Sequence, residues 1–266
     1  MPDPRNPYAP PKAPVADQAD SLDPQAGGTF IPNGRRVSAG RGAGWIGDAW
    51  RFFRARPWMW LLTALLVTVI WAVASWLPLA GLATLLLWPF IGGGIVMAAD
   101  AQRRTGTFEL EALFEGFRRQ PKALLVVGGM YVLMQAVLFV CLAVMIGSTF
   151  ALQAVLHIGG SPDPAAVMTP AYALALLFYL AAVLPITAAT YLAPPLILFH
   201  DLPAGTAMKM SFIGSFKNIL SGFVFSVCAF GLVMIAAIPL GLGLIIAIPV
   251  LMITTYTVYR DIFIGP

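Results

Sequence analysis

Charge is what this sequence has least of: of its 266 residues, 11% are Asp, Glu, Lys or Arg, against 59% hydrophobic. Soluble domains run near a quarter charged, so this composition cannot clothe a domain in water-facing residues and points to an integral membrane protein. The interiors of the apolar runs hold no Asp, Glu, Lys, Arg or His. Ionisable groups inside a membrane mark proton and ion paths because holding them there is costly; their absence counts against a proton-coupled pump. Cysteine is equally sparse. Cys141 and Cys228 both sit in apolar runs, too few for a disulfide framework or a zinc site, and are expected to be packing residues.

Catalytic signatures are missing as well. No G-x-x-x-x-G-K-[ST], H-E-x-x-H, G-x-S-x-G or C-x-x-C occurs, and no nucleophile and base fall at one membrane depth. His157 and His200 fall at opposite membrane edges and cannot meet as ligands within one chain. We therefore assign no catalytic, cofactor-binding or metal-binding residue, and expect a non-enzymatic protein. The ten-residue alternating segments of a membrane β-barrel are absent too.

What is present is a series of six apolar runs near the ~20 residues that cross a bilayer as helix, at about 58–77, 79–99, 122–147, 171–199, 219–238 and 240–259. The first and last pairs turn tightly at Leu77-Pro78-Leu79 and Ile238-Pro239-Leu240, and the middle pair is joined by the polar stretch 157–170. The sixteen Lys and Arg all fall on one side of this arrangement; by the positive-inside rule both termini are cytoplasmic. The net charge of +4 and isoelectric point near 9.3 then read as orientation and contact with anionic lipid, not as nucleic-acid binding. Residues 1–43 hold eight of the 22 prolines with little apolar periodicity, and are expected to form a disordered cytoplasmic tail.

A short amphipathic stretch precedes each pair of runs. In the first, Gly44 to Pro57, the residues Trp45, Ile46, Ala49, Trp50, Phe52 and Phe53 share a helical face opposite Asp48, Arg51 and Arg54, the pattern of a helix lying in a membrane interface. In the second, Leu110, Leu113, Phe114 and Phe117 align, with Thr107 placed to cap the start. In the third, Met208, Phe212 and Phe216 align, although Lys209 intrudes. Phe-Arg-Ala-Arg-Pro (53–57), Phe-Arg-Arg-Gln-Pro (117–121) and Phe-Lys-Asn-Ile-Leu (216–220) lead into the runs, and each pair closes on an aspartate: Asp100, Asp201 and Asp261. The expected fold is all-α: a polytopic membrane bundle of six transmembrane helices in three hairpins, each behind a cytoplasmic interfacial helix. The repeat units are about 44–101, 107–202 and 204–262.

At the Gly44-Trp45 helix and the Phe-basic-x-x-Pro segments, residues 34 to 261 resemble a family of six-span inner-membrane proteins of proteobacteria that has no established activity. More loosely, the helix-plus-hairpin arrangement is similar to the membrane domain attached to some bacterial glycerophosphodiester phosphodiesterases, whose catalytic domain has no counterpart here. The resemblance implies a multi-pass location in the bacterial inner membrane and carries over no enzymatic residue.

Two functional readings remain open. In the first, the protein is structural, lipid-interacting or accessory to a membrane process, and Arg51, Arg54, Arg56, Arg118, Arg119, Lys122 and Lys217 contact anionic headgroups on the cytoplasmic face, with room for a protein partner. In the second, it is a small-solute permease. The Pro89 and Pro185/Pro194-Pro195 positions then break helices around a midplane cavity lined by Gly92, Gly93, Gly94, Thr187, Thr190 and Tyr191.

Overall fold

A computed structural model of the chain describes residues 28–76, 80–156 and 170–265. The expected turn at Leu77-Pro78-Leu79, most of the 157–170 stretch and residues 1–27 lie outside the described residues. Among those described the chain is helical with no strand, and a single antiparallel bridge pairs Phe30 with Ile264. Helices α1 (Arg41–Ala55), α2 (Pro57–Ser75) and α3 (Ala80–Thr105) are followed by a 3₁₀ segment at Leu110–Phe114 and α4 (Glu115–Arg119). Then come α5 (Pro121–Leu156), α6 (Pro170–Tyr191), α7 (Ala193–His200), α8 (Ala204–Lys217), α9 (Ile219–Ala237) and α10 (Leu244–Phe263).

Five helical stretches are long and apolar enough to cross a membrane, at 82–105, 121–147, 173–200, 219–237 and 244–263. A sixth is reached through the pair Arg41–Ala55 and Pro57–Val73, which bends by 105°. Pro57 supplies the cause of the bend, since its ring removes a backbone donor at the junction and pre-sets the first turn of the helix it begins. With α2 upright, that angle lays α1 nearly flat across the end of the bundle.

The apolar surface is arranged inside out relative to a soluble protein. Just over half of the apolar window is buried on α3 and on α10 (56% each), against 6% on α5 and 11% on α9. The centre is thus formed by α3 and α10 with the short α7, whose residues Ala193 to Leu198 are all buried although the span 173–200 that it ends is only 11% buried. Phe199 of α7 stacks on Tyr259 of α10, and α3 packs against both. The first helices turn rows of large side chains outward, among them Leu62, Leu65 and Val69 on α2 and Phe223, Val227 and Phe230 on α9. Such rows are untenable in water and ordinary against lipid. Cys141 is exposed on that outer surface, not packed in the core.

Each amphipathic segment packs on the hairpin of the unit before it. The 3₁₀ segment and α4 lie on α3, α8 lies on α6 and α7, and α1 closes the circuit on α9 and α10. Burial on α1 follows Gly42, Trp45, Ala49 and Phe53, so the expected aromatic face is turned against α9 and α10; Trp50 remains exposed. In the second unit a 3₁₀ turn and a five-residue helix replace the expected continuous helix. No side chain caps that start; the Thr107 hydroxyl lies 2.7 Å from that of Thr105 instead. The third is the continuous helix α8. Small residues, Ala204, Ala207, Ser211 and Gly214, face inward, while Phe212 and Phe216 stack on one another at the surface. Lipid is as apolar as Phe, so close backbone approach through small residues, not burial of large ones, drives contact here.

Part of the expected tail is ordered. Residues 28–40 form a strap across the ends of α9 and α10. Ile31 N–H and Arg35 N–H donate to the carbonyls of Phe263 and Ile262, each at 2.8 Å. Asn218 is the fixing point: its Oδ1 accepts from Val37 N–H at 2.8 Å, and its Nδ2 donates to Arg35 O at 2.8 Å and Gly214 O at 2.9 Å. The strap is ordered by backbone pairing, which does not need apolar periodicity.

Gly42 is where α1 meets α9: a Cβ added there would stand 2.2 Å from the carbonyl oxygen of Ser221, whereas one on Gly47 meets no atom within 4 Å. Gly42→Val is expected to lower the detergent-solubilised melting temperature, with an overpacking cost of roughly 1–3 kcal/mol. Gly47→Ala should hold or raise it, by up to about 1 kcal/mol of helix propensity. Equal melting of the two variants would contradict this seating of α1.

Candidate functional site: an arginine-lined cleft at the basic face

All fourteen Lys and Arg residues of the described segments lie where α2, α5 and α9 begin, where α3 and α10 end, or on the segments packed there. Under and beside α1 this face opens into a cleft of about 870 Å³. Its walls come from α1 (Arg41, Asp48, Arg51, Phe52), the α1–α2 corner (Arg56), the end of α3 (Gln102, Arg103) and the end of α10 (Tyr256, Arg260, Asp261), with Arg35 from the strap. Six arginines and two aspartates line it.

Asp261 organises one side. One Oδ2 accepts from Trp45 Nε1 and from Arg41 Nε, both at 2.7 Å, and Oδ1 accepts from Arg35 Nη2 at 3.0 Å. Arg35 also donates through Nε to the Asp261 carbonyl at 2.7 Å. Arg41 extends the chain by pairing with Asp48 at 2.8 Å, and Asp48 accepts in turn from Arg51. The bond to Asp261, ahead of the opposing effect of burial, holds the Arg41 guanidinium above its usual range.

Asp100 organises the other side. It accepts from Tyr256 Oη at 2.8 Å, from Arg103 at 3.2 Å and from Arg104 at 2.6 Å. Arg103 Nε donates to Tyr256 Oη at 2.7 Å, so the hydroxyl is occupied as both donor and acceptor. Gln102 joins three elements: its Oε1 accepts from Trp60 Nε1 of α2 at 2.7 Å and its Nε2 donates to Phe52 O of α1 at 2.9 Å. Arg56 reaches over to the turn after α3, where Nη2 donates to Gly106 O at 2.8 Å. Next to the cleft, a second hollow of about 180 Å³ shares Arg103, Arg260 and Ile264 and adds Arg104, His200 and Tyr259. There Phe30 of the strap stacks on His200 at 3.7 Å.

Of the seven expected headgroup contacts, Arg51 and Arg56 line the cleft. The other five are distributed around the face. Arg54 and Lys122 are exposed; Arg119 pairs with Glu115 at 2.7 Å and Arg118 reaches Glu111 at 4.0 Å. Lys217 donates to Asn33 O and Gly34 O, fastening the strap. Arg35, Arg41, Arg103 and Arg260 were not singled out by spacing, yet they line the cleft with Arg51 and Arg56. The signal present in the sequence was the trio of closing aspartates, two of which collect arginines. The third, Asp201, ends α7 in the left-handed conformation and accepts from Gln120 Nε2 at 2.8 Å.

The residues expected for a midplane cavity are dispersed. Gly94 is a close approach, since a Cβ there would stand 1.9 Å from Leu113 O; one on Gly93 would meet Leu198 at 2.7 Å, and Gly92 faces open space. Thr187 is exposed, Thr190 donates to Ile186 O within its own helix at 2.9 Å, and the Tyr191 hydroxyl accepts from Thr255 at 3.0 Å. Pro89 and Pro185 sit within continuous helices. The break comes at Leu192, ahead of Pro194-Pro195, and α8 seals it: Ser211 Oγ donates to Ala188 O at 2.6 Å and accepts from Leu192 N–H at 3.1 Å. The backbone groups freed by the break thus have protein partners. Gln135 on α5 holds a buried side-chain oxygen with no partner among the described residues, a single group rather than a lined path.

The chain is 30% identical over 195 residues to a protein of Burkholderia thailandensis named "probable inner membrane protein", a match spanning 68% of this chain and 69% of that one. No family-wide sequence profile and no solved structure matches the chain.

Asp261→Asn leaves Arg35 and Arg41 without their shared charge. Both arginines are partly exposed, at 37% and 41% of their side chains, so solvent softens the loss. A cost of about 2–3 kcal/mol is expected, since a hydrogen bond to a charged group contributes roughly 1.5–3 kcal/mol. In a Trp45→Phe background the same substitution should cost about 1 kcal/mol less. Full additivity in denaturant unfolding would show that Trp45 and Asp261 do not interact.

Proposed function

We propose, for a chain that belongs to the family of the Burkholderia thailandensis inner membrane protein, that it is a non-enzymatic, lipid-engaging protein whose basic face is cytoplasmic. On this reading both termini are cytoplasmic, and the units at about 44–101, 107–202 and 204–262 are three copies of one helix-plus-hairpin design. The observation that carries the reading is the position of α1. A helix bearing Arg51 and Arg54, with Arg56 just past its end, is held flat at the end of a lipid-exposed bundle, at 105° to the helix that follows, which is the depth of phospholipid headgroups. The basic residues on α4 and at the start of α5 continue that level around the molecule.

Each basic residue held near an anionic surface contributes about 1 kcal/mol, and the contribution falls within a Debye length. Arg54, Arg118 and Lys122 lie outside the cleft and have little or no carboxylate pairing among the described residues. Exchanging all three for Gln is expected to cut retention of phosphatidylglycerol in native mass spectrometry by up to about a hundredfold in apparent affinity. The loss should shrink as salt is raised. Retention equal to that of the unaltered protein would contradict the lipid role. The permease reading is not favoured by any observation at its own residues, which are packed, internally bonded or on the outer surface.

A further inference from the structure

We infer that the cleft beside α1 binds a phosphate monoester dianion through Arg56 and Arg260. This chemistry is shared by phosphatidate-type lipid headgroups and small soluble phosphates. The inference rests on the reading of the basic face as lipid-engaging, but it concerns a built pocket and two residues which that reading does not require.

The six arginines of the cleft are not equivalent. Asp261 satisfies Arg35 and Arg41, Asp48 satisfies Arg41 and Arg51, and Arg103 is held between Asp100 and Tyr256. Among the described residues Arg56 bonds only a neutral carbonyl, through Nε at 3.2 Å and Nη2 at 2.8 Å to Gly106 O. That contact fixes the guanidinium in place and leaves its charge unbalanced. Arg260, half-buried on the last turn of α10, has no carboxylate within ion-pairing distance among the described residues. Two guanidiniums on different walls of one cleft therefore carry uncompensated charge, and one of them is already oriented.

Two such charges match a ligand carrying two. A phosphate monoester bears roughly −1.5 to −2 at neutral pH and offers three acceptor oxygens, enough for a guanidinium fork from each side. A diester such as phosphatidylglycerol bears one charge and two free oxygens, and would leave one arginine unmatched. The cleft, at about 870 Å³, has room for a phosphate with a glycerol backbone, and Phe52, Ala55 and Ile264 supply an apolar side to its lining.

The test uses the full chain in a neutral detergent at fixed ionic strength, with calorimetry of three probes: inorganic phosphate, dioctanoyl phosphatidate and dioctanoyl phosphatidylglycerol. Phosphatidate is expected to bind at least tenfold tighter than phosphatidylglycerol in the unaltered protein, a comparison that needs no variant. Inorganic phosphate competing at similar affinity assigns the site to soluble phosphates; phosphatidate binding alone assigns it to lipid. R56Q with R260Q should remove the monoester preference, at least tenfold. Equal binding of phosphatidate and phosphatidylglycerol, no binding of either phosphatidate or inorganic phosphate, or a preference that survives the paired substitution would each overturn the inference. Loss of phosphatidylglycerol retention in the Arg54, Arg118 and Lys122 variant is a separate result and bears on the lipid-engaging reading alone.

Discussion

The carboxylate of Asp261 is the point on which the basic face depends. It sits at the end of the chain's last helix with its side chain 10% exposed, and it receives donors from the strap, the start of α1 and the indole of Trp45. A carboxylate so withdrawn from water is tolerable only with its oxygens satisfied. Satisfying them brings together residues separated by more than two hundred positions. The first amphipathic helix thereby docks on the last hairpin, and the three units close on themselves instead of forming an open row.

From that closure the remaining geometry follows. With α3, α7 and α10 at the centre, their ends converge on the basic face, and the aspartates near the ends of α3 and α10 each collect their own arginines, Arg103 and Arg104 at Asp100 and Arg35 and Arg41 at Asp261. Asp100 takes Tyr256 from α10; Asp261 takes Trp45 from α1, and α1 in turn is tied to α3 through Gln102 and Phe52. The cleft is the space left between these two carboxylate-centred clusters. Among the described residues, Ser211 partners the backbone groups freed at the break between α6 and α7. What the fold builds at this end is a charged face with an arginine-lined cleft.

Much of this was legible in the chain. The spans stand out because hydrocarbon demands ~20 continuous apolar residues and intramembrane charge is costly. The same demand pushes the arginines to the ends, so the basic face could be read as well. The closing aspartates were visible as a pattern, but their partners were not, because nothing local links Asp261 to Trp45 across 216 positions. The alignment of Met208, Phe212 and Phe216 on α8 was legible, but not which way the row turns: Phe212 and Phe216 are exposed and the small residues face inward, because lipid is as apolar as Phe. Residues 28–40 read as tail because their order comes from backbone pairing and from Asn218, which leave no periodic trace. The cleft itself needed three dimensions, since Arg35, Arg41, Arg103 and Arg260 come from three separate stretches of sequence.

The central claim, that Asp261 pins α1 across the basic face, is tested most directly by pulsed electron paramagnetic resonance. Spin labels would be placed at Gly47 on α1 and Gly205 on α8, where an added side chain meets no atom within 4 Å, with Cys141 and Cys228 replaced. One narrow distance distribution is expected in the otherwise unaltered protein, and a broadened or shifted one once Asp261 is exchanged for Asn. The same narrow distribution in both would show that α1 holds its place without that carboxylate, and would contradict the account.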